Sequence, residues 1–259
     1  MTRLLHPAVD RRRAAEILAG LSGDRLAAGG EVITFRGGTV ECTPVAAGPK
    51  VSWRWRDLWA IRRIGTYRDA PNRISMYVVE QDGYRRMLET ESLLEKAHLC
   101  EMQFSGTVNW MITQPFALRW PVEDRCMWRV PDILAYDDSG PFVADVKPEH
   151  ARTEFTDLMF DLTRRTLDLV GLRYRVLGDL SRQRQMNLRA ISSQRWLPEE
   201  LSAHADRARA AGRATMGGVV DSAGGGACGR AVAFYLLTRD LDVDLDLAIT
   251  AATAVTWVA

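Results

Sequence analysis

Lysine is scarce in this 259-residue chain, occurring only as Lys50, Lys96 and Lys147, so almost all the basic charge is arginine. A lysine set among acids therefore stands out. An excess of one charge is also lacking: 34 Lys and Arg against 33 Asp and Glu leave a net charge of +1. No overall field advertises a nucleic-acid partner. The four cysteines, Cys42, Cys100, Cys126 and Cys228, form no CxxC pair and, with four scattered histidines, match no zinc spacing. Reduced cysteines in a cytoplasmic protein are the expectation. No apolar run approaches the length needed to cross a bilayer, and "MTRLLHPAVDRRR" has no apolar signal-peptide core, so no membrane partner is expected. The glycine-rich "GGVVDSAGGGACG" lacks the lysine and spacing of a phosphate-binding loop and reads as a plain loop.

What is present is an ordinary globular composition, 47% apolar and 26% charged. Residues 14–21 have helical character and "EVITF" reads as a strand; the remainder of residues 1–50 has no assigned fold. "ISMYVVE" is a further strand. In "ETESLLEKAHLCEMQF" the apolar positions 93, 94, 97, 99 and 102 predict a helix, with Ser92 or Thr90 as its cap. "TVNWMIT", "FALRW" and the pair "PDILAY" and "PFVADVK" read as strands, and "DDSG" between the last two is good turn chemistry, with Gly140 free to take a positive φ. After Pro148 the period changes: Phe155, Leu158, Met159, Leu162 and Leu169 form a helical stripe ended by Gly171, and "RYRVLG" is another strand. The order helix, three or four strands, helix, strand predicts an α/β layer with a mixed sheet covered by helices. Beyond residue 180 a basic, polar stretch precedes "PEELSAHADRARAA", "ATMGGVVDSAGGG" and an apolar helix, then "LDVDLDL" and a β-rich end, the plan of a winged helix. The expected divisions are residues 1–80 of unassigned fold, 81–180 a core, and 181–259 a winged-helix-like domain.

The hairpin carries the chemistry. Strand residues alternate between faces, so Asp145 and Lys147 share one face while Ala144 and Val146 take the other. Asp132, opening the preceding strand, comes alongside if the turn sets the register. Two carboxylates and the Val146 carbonyl are hard oxygen donors suited to Mg²⁺, with Mn²⁺ as a substitute. Lys147 is placed to orient water and to stabilise charge on a phosphate. Read in isolation, PD-x₁₂-DxK is also what a hairpin with surface charges would show; the upstream Glu95 and the long downstream helix favour the nuclease reading. For Glu95 alone, a solvated helix face beside Lys96 and Glu91 is the ordinary reading.

"ESLLEKAHLCEMQF", "TVNWMITQPFALRW" and "PDILAYDDSGPFVADVKP" together resemble the TnsA-like transposon-end endonucleases of the PD-(D/E)xK, restriction-endonuclease-like superfamily, over roughly residues 50–198. The resemblance aligns Glu95 with the family's helix glutamate, Asp132 with its strand aspartate and Lys147 with its lysine, so Glu95, Asp132, Asp145 and Lys147 are the expected catalytic residues, and Glu95, Asp132, Asp145 and Val146 the expected metal ligands. Asp145 falls where the best-known member has glutamine, and aspartate there is closer to the general superfamily pattern. It implies a restriction-endonuclease-like core with a C-terminal winged-helix region, Mg²⁺-dependent cleavage of double-stranded DNA, and work beside a TnsB-like transposase and a TnsC-like ATPase. A stand-alone defence or mobile-element nuclease, or a catalytically silent DNA-binding assembly factor, are the alternatives.

In "VSWRWRDLWAIRR", Arg54, Arg56, Arg62 and Arg63 are candidates for a DNA-facing strip, against a solvated face. Trp53, Trp55 and Trp59 are expected in the core. Gln114 and Pro115 are expected to shape a sheet edge. His98 and His150 read as packed or surface residues, with a DNA contact the sharper option for His150.

Overall fold

The computed structural model describes residues 10–20, 22–50, 54–62, 64, 74–122 and 125–258, the side chains of residues 49 and 50 excepted. Trp53 and Arg63 lie outside the described residues. The architecture is mixed α/β, with antiparallel and mixed sheets flanked by helices. Its contacts divide it into two units, residues 1–96 with 107–179 and residues 97–106 with 180–259.

In the first unit, helices α1 (Arg11–Gly20) and α2 (Gly23–Ala28) precede strands β1 (Glu31–Arg36) and β2 (Thr39–Pro44). The hairpin β3 (Ser75–Gln81) and β4 (Tyr84–Thr90) then leads to α3 (Leu93–Phe104), whose first turn belongs to this unit. Five strands follow: β5 (Trp110–Thr113), β6 (Phe116–Val122), β7 (Arg125–Arg129), β8 (Ile133–Asp137) and β9 (Gly140–Val146). Helix α4 (Glu154–Leu169) and β10 (Arg173–Leu177) complete the unit. The expected three or four strands between the helices omit β7. It pairs with β6 alone at a sheet edge and fully buries only Cys126 and Met127, so it shows no clean alternation.

These strands form two four-stranded sheets. One, in the order β2-β1-β6-β7, is antiparallel throughout. The other, β10-β9-β8-β5, is mixed because α4 returns the chain to lay β10 parallel to β9. The two-residue period is legible in β6: Phe116, Leu118 and Trp120 enter the large core with Val32, Leu134, Val143 and Leu162, while Ala117 packs with Ile33, Ile61 and Val130. Trp120 Nε1 donates to Thr166 Oγ1 on α4 at 2.9 Å, giving the buried indole its partner. Thr153 caps α4, its hydroxyl accepting from the Thr156 N–H at 3.3 Å. Leu169, expected on the buried stripe, is exposed; Thr163, Thr166 and Leu167 face inward instead. The Gln81 side chain exchanges two 3.0 Å hydrogen bonds with the Met111 backbone, completing edge strand β5 as another strand would.

The second unit holds α5 (Arg182–Ser192), α6 (Ser202–Ala211), α7 (Met216–Ser222), α8 (Gly226–Leu236) and the short pair β11 (Leu241–Asp242) and β12 (Thr256–Trp257). The basic stretch after residue 180 is thus a helix, capped by Ser181 and buried along Leu188 and Ile191. Ile191, Ala205, Ala208, Val219, Val232 and Leu236 share its core. Gly229 is required there, since a Cβ would stand 2.3 Å from the Val220 carbonyl oxygen. Among the described residues, no helix is long and apolar enough to cross a membrane.

Candidate active site

Asp138 and Ser139 form the two-residue loop of the β8–β9 hairpin, with Asp137 opposite Gly140. The Asp137 carboxylate accepts from the Ser139 N–H at 2.9 Å, and Gly140 takes φ +101°. Both features belong to the local turn chemistry of "DDSG". The register then pairs Leu134 with Val143 and Ile133 with Ala144, which carries Asp132 to the level of Asp145, on the same face. The Asp132 carboxylate accepts from the Val146 N–H at 2.8 Å. Its backbone carbonyl accepts from the Gln114 N–H at 2.9 Å. Gln114 reaches that position with φ +51°, a conformation few non-glycine residues adopt. Lys147 follows β9, half-buried, its N–H donating to the Leu177 carbonyl at 2.9 Å. By strand parity Lys147 shares the face of Asp145.

Asp145 is fully buried. Two residues without a motif signal hold it. The Tyr174 hydroxyl, on neighbouring β10, donates to Asp145 Oδ2. Arg129, at the end of β7 in the other sheet, brings Nη2 to 2.9 Å from Asp145 Oδ1. The guanidinium rests on the Phe160 ring of α4, 4.7 Å from its centroid. The contact is an ion pair without aligned hydrogen-bond geometry, for Asp145 Oδ1 and Arg129 Nε are both buried with no hydrogen-bond partner. Among so many arginines, nothing in one sequence singles out Arg129. Tyr174 lies in an unremarkable strand.

Glu95 occupies the first turn of α3. One of its oxygens accepts from the Glu91 N–H at 2.8 Å and the other from the Ser92 hydroxyl at 3.1 Å, while Ser92 Oγ accepts from the Glu95 N–H at 3.1 Å. This is a relative of the capping box: Ser92 accepts from the Glu95 N–H, while Glu95 reaches back to the Glu91 N–H and the Ser92 hydroxyl. Glu95 is buried, so the solvated-face reading does not describe it.

The electrostatics mark these acids as a group. Burial first, then the charges of Asp145 and Glu95, hold the Asp132 carboxyl well above the usual carboxylate range; the Val146 N–H and Arg129 oppose this without prevailing. Burial pushes the Glu95 carboxyl up against the hydrogen bonds from Glu91 and Ser92. The Tyr174 hydroxyl is raised by burial and then by Asp145.

Two aspartates on adjacent strands, one with a buried oxygen short of a hydrogen bond, fit the oxygen preference of a divalent cation. Glu95 contributes charge, but its oxygens serve the helix start. Among the described residues, no three or more His, Cys, Asp or Glu side chains are gathered as a metal site.

The described arginines of the strip are engaged by the fold. Arg54 pairs with Asp57; Arg56 donates to Asn109 at 2.9 Å and lies over Tyr136; Arg62 donates to Gln114 Oε1 at 2.7 Å and pairs with Glu91. Trp55 is buried as expected, whereas Trp59 is 56% exposed. Its ring sits edge-on to Phe35. Gln114 is buried between β5 and β6, linking Arg62 to the Asp132 backbone. His98 is buried beside Glu101, and His150 is exposed.

No protein-family model matches the chain, and no curated protein matches it significantly.

Proposed function

We propose that this protein is a Mg²⁺-dependent DNA endonuclease with a restriction-endonuclease-like core and a C-terminal winged-helix-like unit. The observation that carries the reading is the β8–β9 hairpin: its register ends with Ile133 opposite Ala144 and its Val146 N–H donates to the Asp132 carboxylate, so strand parity puts Asp132, Asp145 and Lys147 on one face. Asp132, Asp145 and the Val146 carbonyl are the groups that would hold the cation. When bound, it supplies Lewis acidity toward the phosphodiester and lowers the pKa of water. Asp132 orients through its bond to the Val146 N–H, and Asp145 through Tyr174 and Arg129. Lys147 contributes a positive charge facing the phosphate. For the second unit, support comes from the order α6, the Thr215–Ala254 bridge, α7, α8 and the β11–β12 pair. Action at transposon ends beside TnsB-like and TnsC-like partners rests on the motif resemblance alone.

A second reading, a catalytically silent assembly factor, is favoured by one observation: Arg129 already neutralises Asp145. Incubation of the protein with duplex DNA, with and without Mg²⁺, separates the two. The nuclease reading expects Mg²⁺-dependent strand cleavage, abolished by Asp132→Asn and by Asp145→Asn while both variants stay folded. Cleavage equal in parent and variants refutes the site assignment, and its absence in the parent favours the silent reading.

A further inference from the structure

We propose that Arg129 is a resident counter-ion of the acidic pair, occupying through its guanidinium the Asp145 oxygen that a divalent cation must take, so that cation binding requires its displacement. The inference rests on the nuclease reading of this site and adds a control on it.

Four observations carry it. Asp145 is wholly buried, yet its Oδ1 has no hydrogen-bond partner, so the oxygen facing Arg129 is not consumed by the fold. The other oxygen is taken by the Tyr174 hydroxyl. The guanidinium stands 2.9 Å from Oδ1 but with its Nε also unpartnered, whereas a structural arginine–carboxylate pair is commonly bidentate. Arg129 also comes from a different sheet, and its guanidinium's other support is the Phe160 ring, a weaker hold than a second carboxylate hydrogen bond. Arg129 is thus held on Asp145 by charge and by one ring face, without a bidentate hydrogen-bonded lock.

The sign of the change in cation affinity separates the two roles. If Arg129 only built the site, its loss would weaken cation binding. As a competing charge, its loss strengthens binding, because a dication no longer meets a fixed positive neighbour. The probe is Mn²⁺ alone, titrated into the full chain by calorimetry and checked by the rise in melting temperature that binding confers. Arg129→Gln and Arg129→Met remove the charge with different losses of packing against Phe160, and Arg129→Lys retains it. The expected result is Mn²⁺ binding at least about tenfold tighter in Arg129→Gln or Arg129→Met than in the parent, with Arg129→Lys close to the parent. Adding Asp145→Asn to Arg129→Gln should remove the gain. Equal or weaker binding in both charge-removed variants, with measurable binding in the parent, overturns the counter-ion role and leaves the nuclease reading standing. No binding in the parent or in any variant overturns both.

Discussion

Replacing Arg129 with methionine leaves Asp145 fully buried with only the Tyr174 hydroxyl as a donor, facing an acidic neighbour in Asp132. Breaking a buried ion pair by removing one partner costs about 3–5 kcal/mol, since a charge is left uncompensated. The lower end applies, about 3 kcal/mol, for two reasons: the Arg129 side chain is still 22% exposed, and Asp145 keeps one hydrogen bond. Methionine also retains contact with the Phe160 ring, as a thioether packs well on an aromatic edge. For a unit of roughly 170 residues, a loss of that size lowers the melting temperature by about 6–12 °C. The assay is urea unfolding at pH 7 in chelator, followed by far-ultraviolet circular dichroism. The second arm is Arg129→Met combined with Asp145→Asn. Asparagine keeps an oxygen for Tyr174 but removes the stranded charge, so the double variant should recover most of the loss, giving a strongly non-additive cycle. An Arg129→Met protein within about 1 kcal/mol of the parent, or additive effects in the double variant, would refute the claim that charge compensation holds this pair together.

Ser92→Ala removes the acceptor for the Glu95 N–H and should cost about 1 kcal/mol in the same assay. Glu95→Gln should cost less, because an amide oxygen can still serve the Glu91 N–H and the raised carboxyl gains little from its charge; a larger loss in Glu95→Gln would contradict this account. In the second unit, His98 and then Arg184, which donates at 2.6 Å, hold the Glu101 carboxyl below its usual value of 4.5 against the opposing effect of burial. A depressed carboxylate contributes stability above its unfolded pKa that is lost as pH falls through the folded one. Glu101→Gln should therefore be less stable than the parent at pH 7, by about 1 kcal/mol or less given the group's exposure. The gap should close as pH drops below 4.5 and through the depressed value; a gap independent of pH would show that packing, not charge, is lost.

The sequence by itself determined what lies within a few residues. "DDSG" specifies the tight turn, the period of two places Asp145 and Lys147 on one face, and Ser92 begins α3, because these outcomes follow from local sterics and hydrogen bonding. It also showed that Asp132 stands within reach of Asp145, given a two-residue turn. Only the tertiary structure decided the rest. It separated β6 and β7 from β5 and β8, forming two sheets where one was expected, because strand partnership depends on which faces find a core and not on the strand's own residues. It turned Glu95 from an ordinary helix acid into a buried cap. It also brought Arg129 across from the neighbouring sheet onto Asp145, a pairing that nothing in "RCMWRVPD" discloses. A charge can choose a partner only after packing has excluded water and brought distant strands together. For that reason the acids of this site were legible in the chain and their counter-ion was not.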